Sequence, residues 1–146
     1  MLQQITKGIR VTVASRYHGT VFHNKITRHA FAYHIAIENQ GKNAVQLLTR
    51  HWKVQEALDP NSIVSGEGIV GKKPVLQPGE THTYSSNCYL CSPVGLMKGI
   101  FMMINFSTTE KFEVAVPPIQ LSAPFILNWF LFRKPFLFYI WDQTQT

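Results

Sequence analysis

Large apolar residues alternate with smaller or polar ones in Phe31-Ala32-Tyr33-His34-Ile35-Ala36-Ile37-Glu38. Successive side chains of a β-strand point to opposite faces, so the four large residues of this segment share one face. The segment is therefore predicted to be a strand with one buried face. The same alternation occurs in Ile9–Val13 and in Phe112–Val116, which predicts further half-buried strands early and late in the chain.

The sequence between these strands also favours β-structure. Val45–Val54 and Lys98–Phe106 are runs rich in β-forming residues, and Thr81–Ser86 is a weaker one. Asn39–Asn43 and Gln77–Glu80 contain the residues that turns require. Further breaks are expected at five prolines: Pro60, Pro74, Pro93, Pro117 and Pro118. No window between Gln3 and Pro118 sustains a helical period, so we predict an all-β domain of roughly seven strands, an immunoglobulin/fibronectin type III-like β-sandwich.

Composition sets broad limits on the class of protein. The chain has 146 residues, 45% hydrophobic and 15% charged, which suits one folded core and argues against global disorder. A formal charge of +6 attracts anions without selecting a partner. Two cysteines are too few for a disulfide framework, and Met1–Thr6 has neither a basic segment nor a long apolar stretch. We therefore expect a cytoplasmic protein.

One glycine motif matches a nucleotide-binding fingerprint letter for letter. It is Gly66-Glu67-Gly68-Ile69-Val70-Gly71, but Pro74 and Pro78 deny it the following helix on which a dinucleotide site depends. Two interpretations remain: the glycines allow bends or close strand contacts, or their amides form an anion-binding nest beside two lysines. The candidate anion-binding residues are Gly66, Gly68, Gly71, Lys72, Lys73 and His51.

Around these glycines the chain resembles the ApaG family in the order and spacing of several segments. These are Arg50-His51-Trp52, Gly66–Gly71, Pro74–Glu80, Tyr84-Ser85-Ser86, Pro93–Gly99 and Phe112–Pro117. The resemblance covers Met1 to Asn128, including the ending Phe125-Ile126-Leu127-Asn128.

The resemblance implies a fibronectin-type sandwich and a bacterial cytoplasmic protein. It also implies a poorly defined role: relatives occur as interaction domains in eukaryotic F-box and polymerase-delta-interacting proteins. The family is linked by genetics to cobalt resistance and magnesium efflux, and by gene neighbourhood to diadenosine tetraphosphate hydrolysis. None of these links names a reaction.

The residue types that carry catalysis or hold metals are scattered. The six histidines show no local metal-binding spacing, and His51 is either a ligand or anion contact or a partly buried strand histidine bonded to the backbone. Cys88 and Cys91 form half a zinc site at most, so we expect two unlinked thiols. Asp59 is the only aspartate before Asp142, which argues against a magnesium-dependent enzyme. We expect no catalytic residues, no metal and no cofactor.

The last part of the chain differs from the rest. Eight of the eighteen aromatic residues fall between Phe125 and Trp141. Arg133, Lys134 and Pro135 interrupt this run, so it is unsuited to spanning a membrane. Its three interpretations are membrane-surface contact through Trp129–Trp141, packing against the sandwich or another copy, and a non-native or poorly ordered extension. The predicted division is an ApaG-like sandwich over 1–128 and a non-family extension over 129–146.

These observations favour a non-enzymatic binding module that recognises a protein or a small anion through its edges and loops. A homo-oligomer is compatible with this hypothesis. Nucleic acid is not an expected partner, because the aromatic residues that would stack on bases are mostly used in strand alternation. The alternative is an anion, nucleotide or metal binder that uses the Gly66–Gly71 loop and contributes to divalent-cation homeostasis.

Overall fold

The alternating segments form strands in a computed structural model of the chain. It describes residues 1–56, 62–67 and 71–124, and of 62–67 only the main chain. The predictions for residues 125–146, including the domain boundary at 128 and the aromatic tail, lie outside the described residues. The described residues form nine strands: β1 (Leu2–Thr6), β2 (Ile9–His23), β3 (Ile26–Asn39), β4 (Val45–Glu56), β5 (Ser62–Glu67), β6 (Val75–Leu76), β7 (Thr81–Leu90), β8 (Val94–Asn105) and β9 (Lys111–Ser122).

The strands form two antiparallel sheets that face each other. Sheet A has the order β1-β2-β3-β7, and sheet B has the order β5-β4-β8-β9 with β6 paired to the start of β4. After β4 the chain stays beside it in sheet B as β5, and it returns to sheet A only at β7. This crossover separates the topology from the immunoglobulin constant type, in which the fourth strand joins the first sheet. The predicted all-β, fibronectin type III-like sandwich is confirmed.

The prediction that Pro117 and Pro118 break the chain is wrong, because β9 runs through both residues to Ser122. β9 is at the edge of sheet B. One side of an edge strand makes no hydrogen bonds to a neighbouring strand, so a proline whose nitrogen lies on that side breaks none. The register with β8 shifts at this point, since Met97 pairs with Ile119 whereas Gly99 pairs with Val116. Lys98 therefore opposes both prolines in a β-bulge, which absorbs their missing N–H groups.

The core lies between the inner faces of the two sheets. From β3 it receives Phe31, Tyr33, Ile35 and Ile37, each no more than 4% exposed, whereas His34 on the opposite face is exposed. Sheet B contributes the fully buried Phe101, Met103 and Val114. The period of two predicted from residues 31–38 is thus the period of burial.

Trp52 joins the sheets through its ring. The ring centroid is 5.8 Å from that of Tyr33 in sheet A and 5.9 Å from that of Phe101 in sheet B, the latter at 88°. Trp52 pairs across the strands with Gly99, and a Cβ added to Gly99 would lie 2.5 Å from Cζ3 of the indole. Gly99 is therefore required by the indole that covers it.

Asn39 ties the turns together at one end of the sandwich. It is fully buried, and its side-chain amide donates to the carbonyls of Asn43 at 2.8 Å and Leu76 at 3.0 Å. Its Oδ1 accepts from the amide of Gly41 at 2.9 Å, and its own carbonyl accepts from the amide of Gly79 at 2.7 Å. The two turns predicted over residues 39–43 and 77–80 are thus confirmed and are held to each other by one residue.

Substituting Gly99→Ala should destabilise the protein by about 1–3 kcal/mol, because the added methyl overlaps the Trp52 indole. Urea denaturation of the single variant, of Trp52→Leu and of the double variant measures this. Gly99→Ala should cost much less when the indole is absent. An equal cost in both backgrounds would show that Gly99 is needed for another reason.

Candidate functional site

The structure separates the predicted anion-binding residues along one edge of sheet B. Gly66 belongs to β5, where it pairs with Arg50, and Gly68 lies outside the described residues. Gly71 has φ of 76° and open space where a side chain would begin, and Lys72 and Lys73 follow it as exposed residues. The lysines lie beside the start of β4, because the Lys73 carbonyl accepts from Gln46 Nε2 at 3.1 Å.

His51 lies on the outward face of β4. It pairs with Ser65 on β5 and with Ile100 on β8, and its side chain is exposed rather than partly buried. The structure therefore brings His51 next to the strand that contains Gly66. Lys72 and Lys73 lie further towards the first residues of β4.

The remaining metal and thiol candidates are dispersed. Among the described residues, no three His, Cys, Asp or Glu side chains are placed to share a metal ion. Cys88 and Cys91 are both free thiols, as predicted. Burial, and secondarily the charge of Glu56, raises the pKa of Cys88 to about 11, so it stays protonated at neutral pH.

The feature with the clearest binding chemistry is the outer edge of β7. One side of β7 pairs with β3 without interruption, from Thr81 opposite Glu38 to Leu90 opposite His29. No strand in the described part of the chain pairs with its other side. In a strand, every second N–H and C=O on that side then points away from the sheet, forming a template for another extended chain.

Other edges carry features that oppose pairing. β1 has only five residues, and β9 contains the proline pair, a bulge and the charged residues Lys111 and Glu113. β7 spans ten residues, Thr81-His82-Thr83-Tyr84-Ser85-Ser86-Asn87-Cys88-Tyr89-Leu90, without proline, bulge, Lys, Arg, Asp or Glu. Charges, prolines and bulges usually prevent an edge strand from pairing with another chain. The sequence of β7 contains none of them, so its outer edge can pair with an added strand.

A shallow groove of about 420 Å³ lies beside this edge on the outer face of sheet A. Its lining includes Thr12, Ala14, His34, Ala36, Thr83 and Ser85. Thr12, Ala14 and Ala36 have short side chains, so the surface of β2 and β3 presents little steric obstruction to a chain that pairs with β7. Thr83 and Ser85, at the β7 side of the groove, are the lining residues that lie next to a strand added to β7.

His34 and Ser85 form the one strongly polar contact described within this groove. His34 Nδ1 and Ser85 Oγ lie 2.5 Å apart, and both side chains are exposed. A hydroxyl beside an imidazole is part of a nucleophilic arrangement, which also needs an orienting group on the imidazole. Glu38, the carboxylate further along the same face of β3, is instead bonded to Arg10 at 3.0 Å and to Gln40 at 2.6 Å.

The inner side of β7 is polar as well. Burial, followed by the neighbouring Tyr33, raises the pKa of Tyr84 far above its usual value, although Arg50 opposes the shift. The Tyr84 hydroxyl and the Arg50 Nε are buried and have no hydrogen-bond partner among the described residues.

Two facing antiparallel sheets define a fibronectin type III-like sandwich domain. A family model described as the ApaG domain matches residues 20–105. The chain is 42% identical over 124 residues to Protein ApaG of Rhodospirillum centenum, covering 85% of this chain and 95% of that protein. It is 39% identical over 120 residues to Protein ApaG of Thiobacillus denitrificans, covering 82% and 94%.

Solved structures agree with these sequence relatives. An X-ray structure of a Northeast Structural Genomics Consortium target superimposes with a TM-score of 0.74 at 33% identity, covering 80% of this chain and 88% of that one. A crystal structure of a Bordetella pertussis protein gives 0.71 at 32% identity, with 80% and 94% covered. The chain belongs to the ApaG family.

Sequence reasoning missed the open edge. The signal was present, since ten consecutive residues from Thr81 to Leu90 carry no formal charge and no proline. This stretch does not identify a binding edge by itself, because the sequence alone does not show which strand is at the edge of a sheet. The described residues contain no helix with the length and apolar character that crossing a membrane requires.

Titration of the purified, tag-free chain with cobalt should reveal no stoichiometric site of micromolar affinity. The physical reason is that the described histidines and carboxylates are dispersed, and divalent first-row ions need several converging ligands. Isothermal calorimetry measures this directly. A one-to-one site that disappears in His51→Ala and persists in the matched variant His34→Ala would contradict the expectation.

Proposed function

We propose that this member of the ApaG family is a non-enzymatic interaction module that binds an extended segment of a protein partner along the outer edge of β7. The observation that carries the proposal is the contrast between edges. β7 offers ten residues of uninterrupted strand without charge or proline, whereas β9 carries both and β1 is short. Addition of a strand to an exposed edge is an established mode of peptide recognition.

The main chain supplies affinity in this mode and the neighbouring face supplies selectivity. The outward N–H and C=O groups of β7 bond to the partner strand, and every second side chain of that strand is directed to the outer face of sheet A. Thr83, Ser85 and Asn87 are exposed there, uncharged and able to hydrogen bond. A partner segment with small or polar residues at alternate positions fits this surface.

The family link to cobalt resistance and magnesium efflux is compatible with this function if the partner handles the cation. In that case the chain is cytoplasmic and regulates a cation-handling protein by binding it. The chain's own residues then need no metal chemistry. A protein partner is also what the related interaction domains of eukaryotic proteins lead us to expect.

A small-anion site is the second candidate. Its support is local: Gly71 has a positive φ of 76°, no heavy atom lies within 4 Å of where its Cβ would be, and the exposed Lys72 and Lys73 follow directly. Such a site would lie on sheet B. It is therefore separable from strand addition to sheet A by mutation.

The strand-addition function predicts position-specific crosslinking. A photo-crosslinking residue at Thr83 should form protein adducts in cells, because it lies beside the open edge. The same residue at Gln3, on the opposite edge of sheet A, should give several-fold fewer. Gel analysis and mass spectrometry of the adducts measure this.

Asn87→Lys should reduce the adducts at position 83 several-fold, since a lysine on an edge strand opposes pairing. The matched charge change Gln3→Lys should leave them unchanged. Thermal melting of both variants controls for folding. Equal adducts from the two edges, or adducts that persist in Asn87→Lys, would contradict the proposal.

A further inference from the structure

The hairpin of β2 and β3 projects from the end of sheet A opposite the Asn39 turns. β7 pairs with β3 only as far as His29, opposite Leu90. Beyond that point three pairs remain between β2 and β3, the last joining His23 to Ile26. The ribbon thus continues about 10 Å past the end of β7, and Asn24 and Lys25 form its two-residue turn with φ of 51° and 68°.

The projecting tip exposes large apolar side chains. Phe22 is 78% exposed and Ile26 is 44% exposed. Phe22 pairs with Thr27, the neighbour of Ile26, so the two apolar side chains lie on opposite faces of the ribbon. A surface that received the tip end-on would therefore cover both, whereas a flat protein surface against one face would leave the other in water.

The hairpin carries positive charge and no carboxylate. Residues 11–37 contain no Asp or Glu, and they include Arg16, Lys25 and Arg28. The carboxylate described at this end, Glu56, is buried and accepts the amides of Cys91 at 2.9 Å and Ser92 at 3.3 Å. The connection between β4 and β5 adds one acidic residue, Asp59, from outside the described residues. The exposed charge at this end is therefore predominantly positive.

The hairpin is held close to its turn by contacts that involve His23 and Arg28. The Arg28 Nε donates to the His23 carbonyl at 3.2 Å, and its Nη1 lies 3.5 Å from Cys91 Sγ. The His23 and Tyr89 rings stack with centroids 4.1 Å apart and planes at 11°. These contacts hold the ribbon against the end of β7, so the tip is a supported projection.

The chain leaves the described structure at the same end. Ala123, just past β9, donates its amide to the carbonyl of Pro93 at 2.9 Å, in the bend that also contains Cys91. The sequence that continues from there contains Trp129–Trp141, with aromatic residues around Arg133 and Lys134. Aromatic and basic residues together are typical of contact with a membrane interface.

We propose that the β2–β3 hairpin tip inserts Phe22 and Ile26 end-on into the surface of an anionic lipid bilayer. The lysine and arginine side chains of the hairpin attract the lipid headgroups, and the two apolar side chains enter the interface. This surface is distinct from the β7 edge and does not rest on the function proposed for it.

A fluorescent label that reports depth tests the hairpin separately from the tail. The full chain carries Cys91→Ser and a bimane attached at Asn24→Cys, while Cys88 is kept because burial suppresses its reactivity. Phosphatidylcholine vesicles with phosphatidylserine and a doxyl-labelled lipid should quench this label. A matched label at Ser107→Cys, in the turn between β8 and β9 at the other end, should not be quenched.

Substitution gives the second measurement. Phe22→Ser should lower vesicle partitioning about tenfold, as expected for one aromatic side chain withheld from the interface. Phe106→Ser, at the other end and 48% exposed in the native chain, should leave partitioning unchanged. Omitting phosphatidylserine or raising the salt should weaken the native interaction.

Several results would overturn the proposal. One is vesicle binding without quenching at position 24, which would assign attachment to the tail alone. Another is equal quenching at positions 24 and 107. A third is binding that Phe22→Ser and Phe106→Ser reduce equally, or that is insensitive to lipid charge.

Discussion

The central position of β3 is the constraint on which the rest of the structure depends. Its inner face supplies Phe31, Tyr33, Ile35 and Ile37 to the core, and its two sides pair with β2 and β7. β7 follows β3 in the sheet order, and no strand among the described residues pairs with the other side of β7, which is therefore an edge. Sheet B covers the inner face, and His34 on the outer face is exposed to solvent.

That arrangement determines where binding is available. The inner faces of both sheets are buried in the core. Trp52 packs over Gly99 and contacts aromatic rings of both sheets. The turns at one end are tied to each other by the buried Asn39. What remains for recognition are the edges, the outer faces and the projecting hairpin. Of the edges described in full, β7 is the one whose sequence leaves main-chain groups available.

The sequence supports the fold better than the site. Alternation in residues 31–38 and the turns around Asn39 and Gly79 are local signals, and local sterics and burial enforce them in the structure. The continuation of β9 through Pro117 and Pro118 depends on an edge position and a bulge, both set by a neighbouring strand. The open side of β7 depends likewise on sheet order. Properties that require knowing which strands are neighbours could not be obtained from spacing.

The same distinction applies to the glycine motif. Its letters allowed two interpretations, bends or close strand contacts and an anion nest, and the structure places Gly66 on an edge strand opposite Arg50 with His51 on the outward face nearby. Lys72 and Lys73 lie apart from them, beside the start of β4. Residues that are adjacent in sequence are here spread along the edge of a sheet.

The open edge of β7 is the central claim, and residue-resolved amide hydrogen exchange measures it most directly. Within Thr81–Leu90 we expect alternation: amides bonded to β3 exchange slowly, and the intervening amides exchange rapidly in the free chain. The intervening amides should become protected when the partner segment binds. Uniform slow exchange along β7 in the free monomer would contradict the claim, because it would show that this edge is already covered.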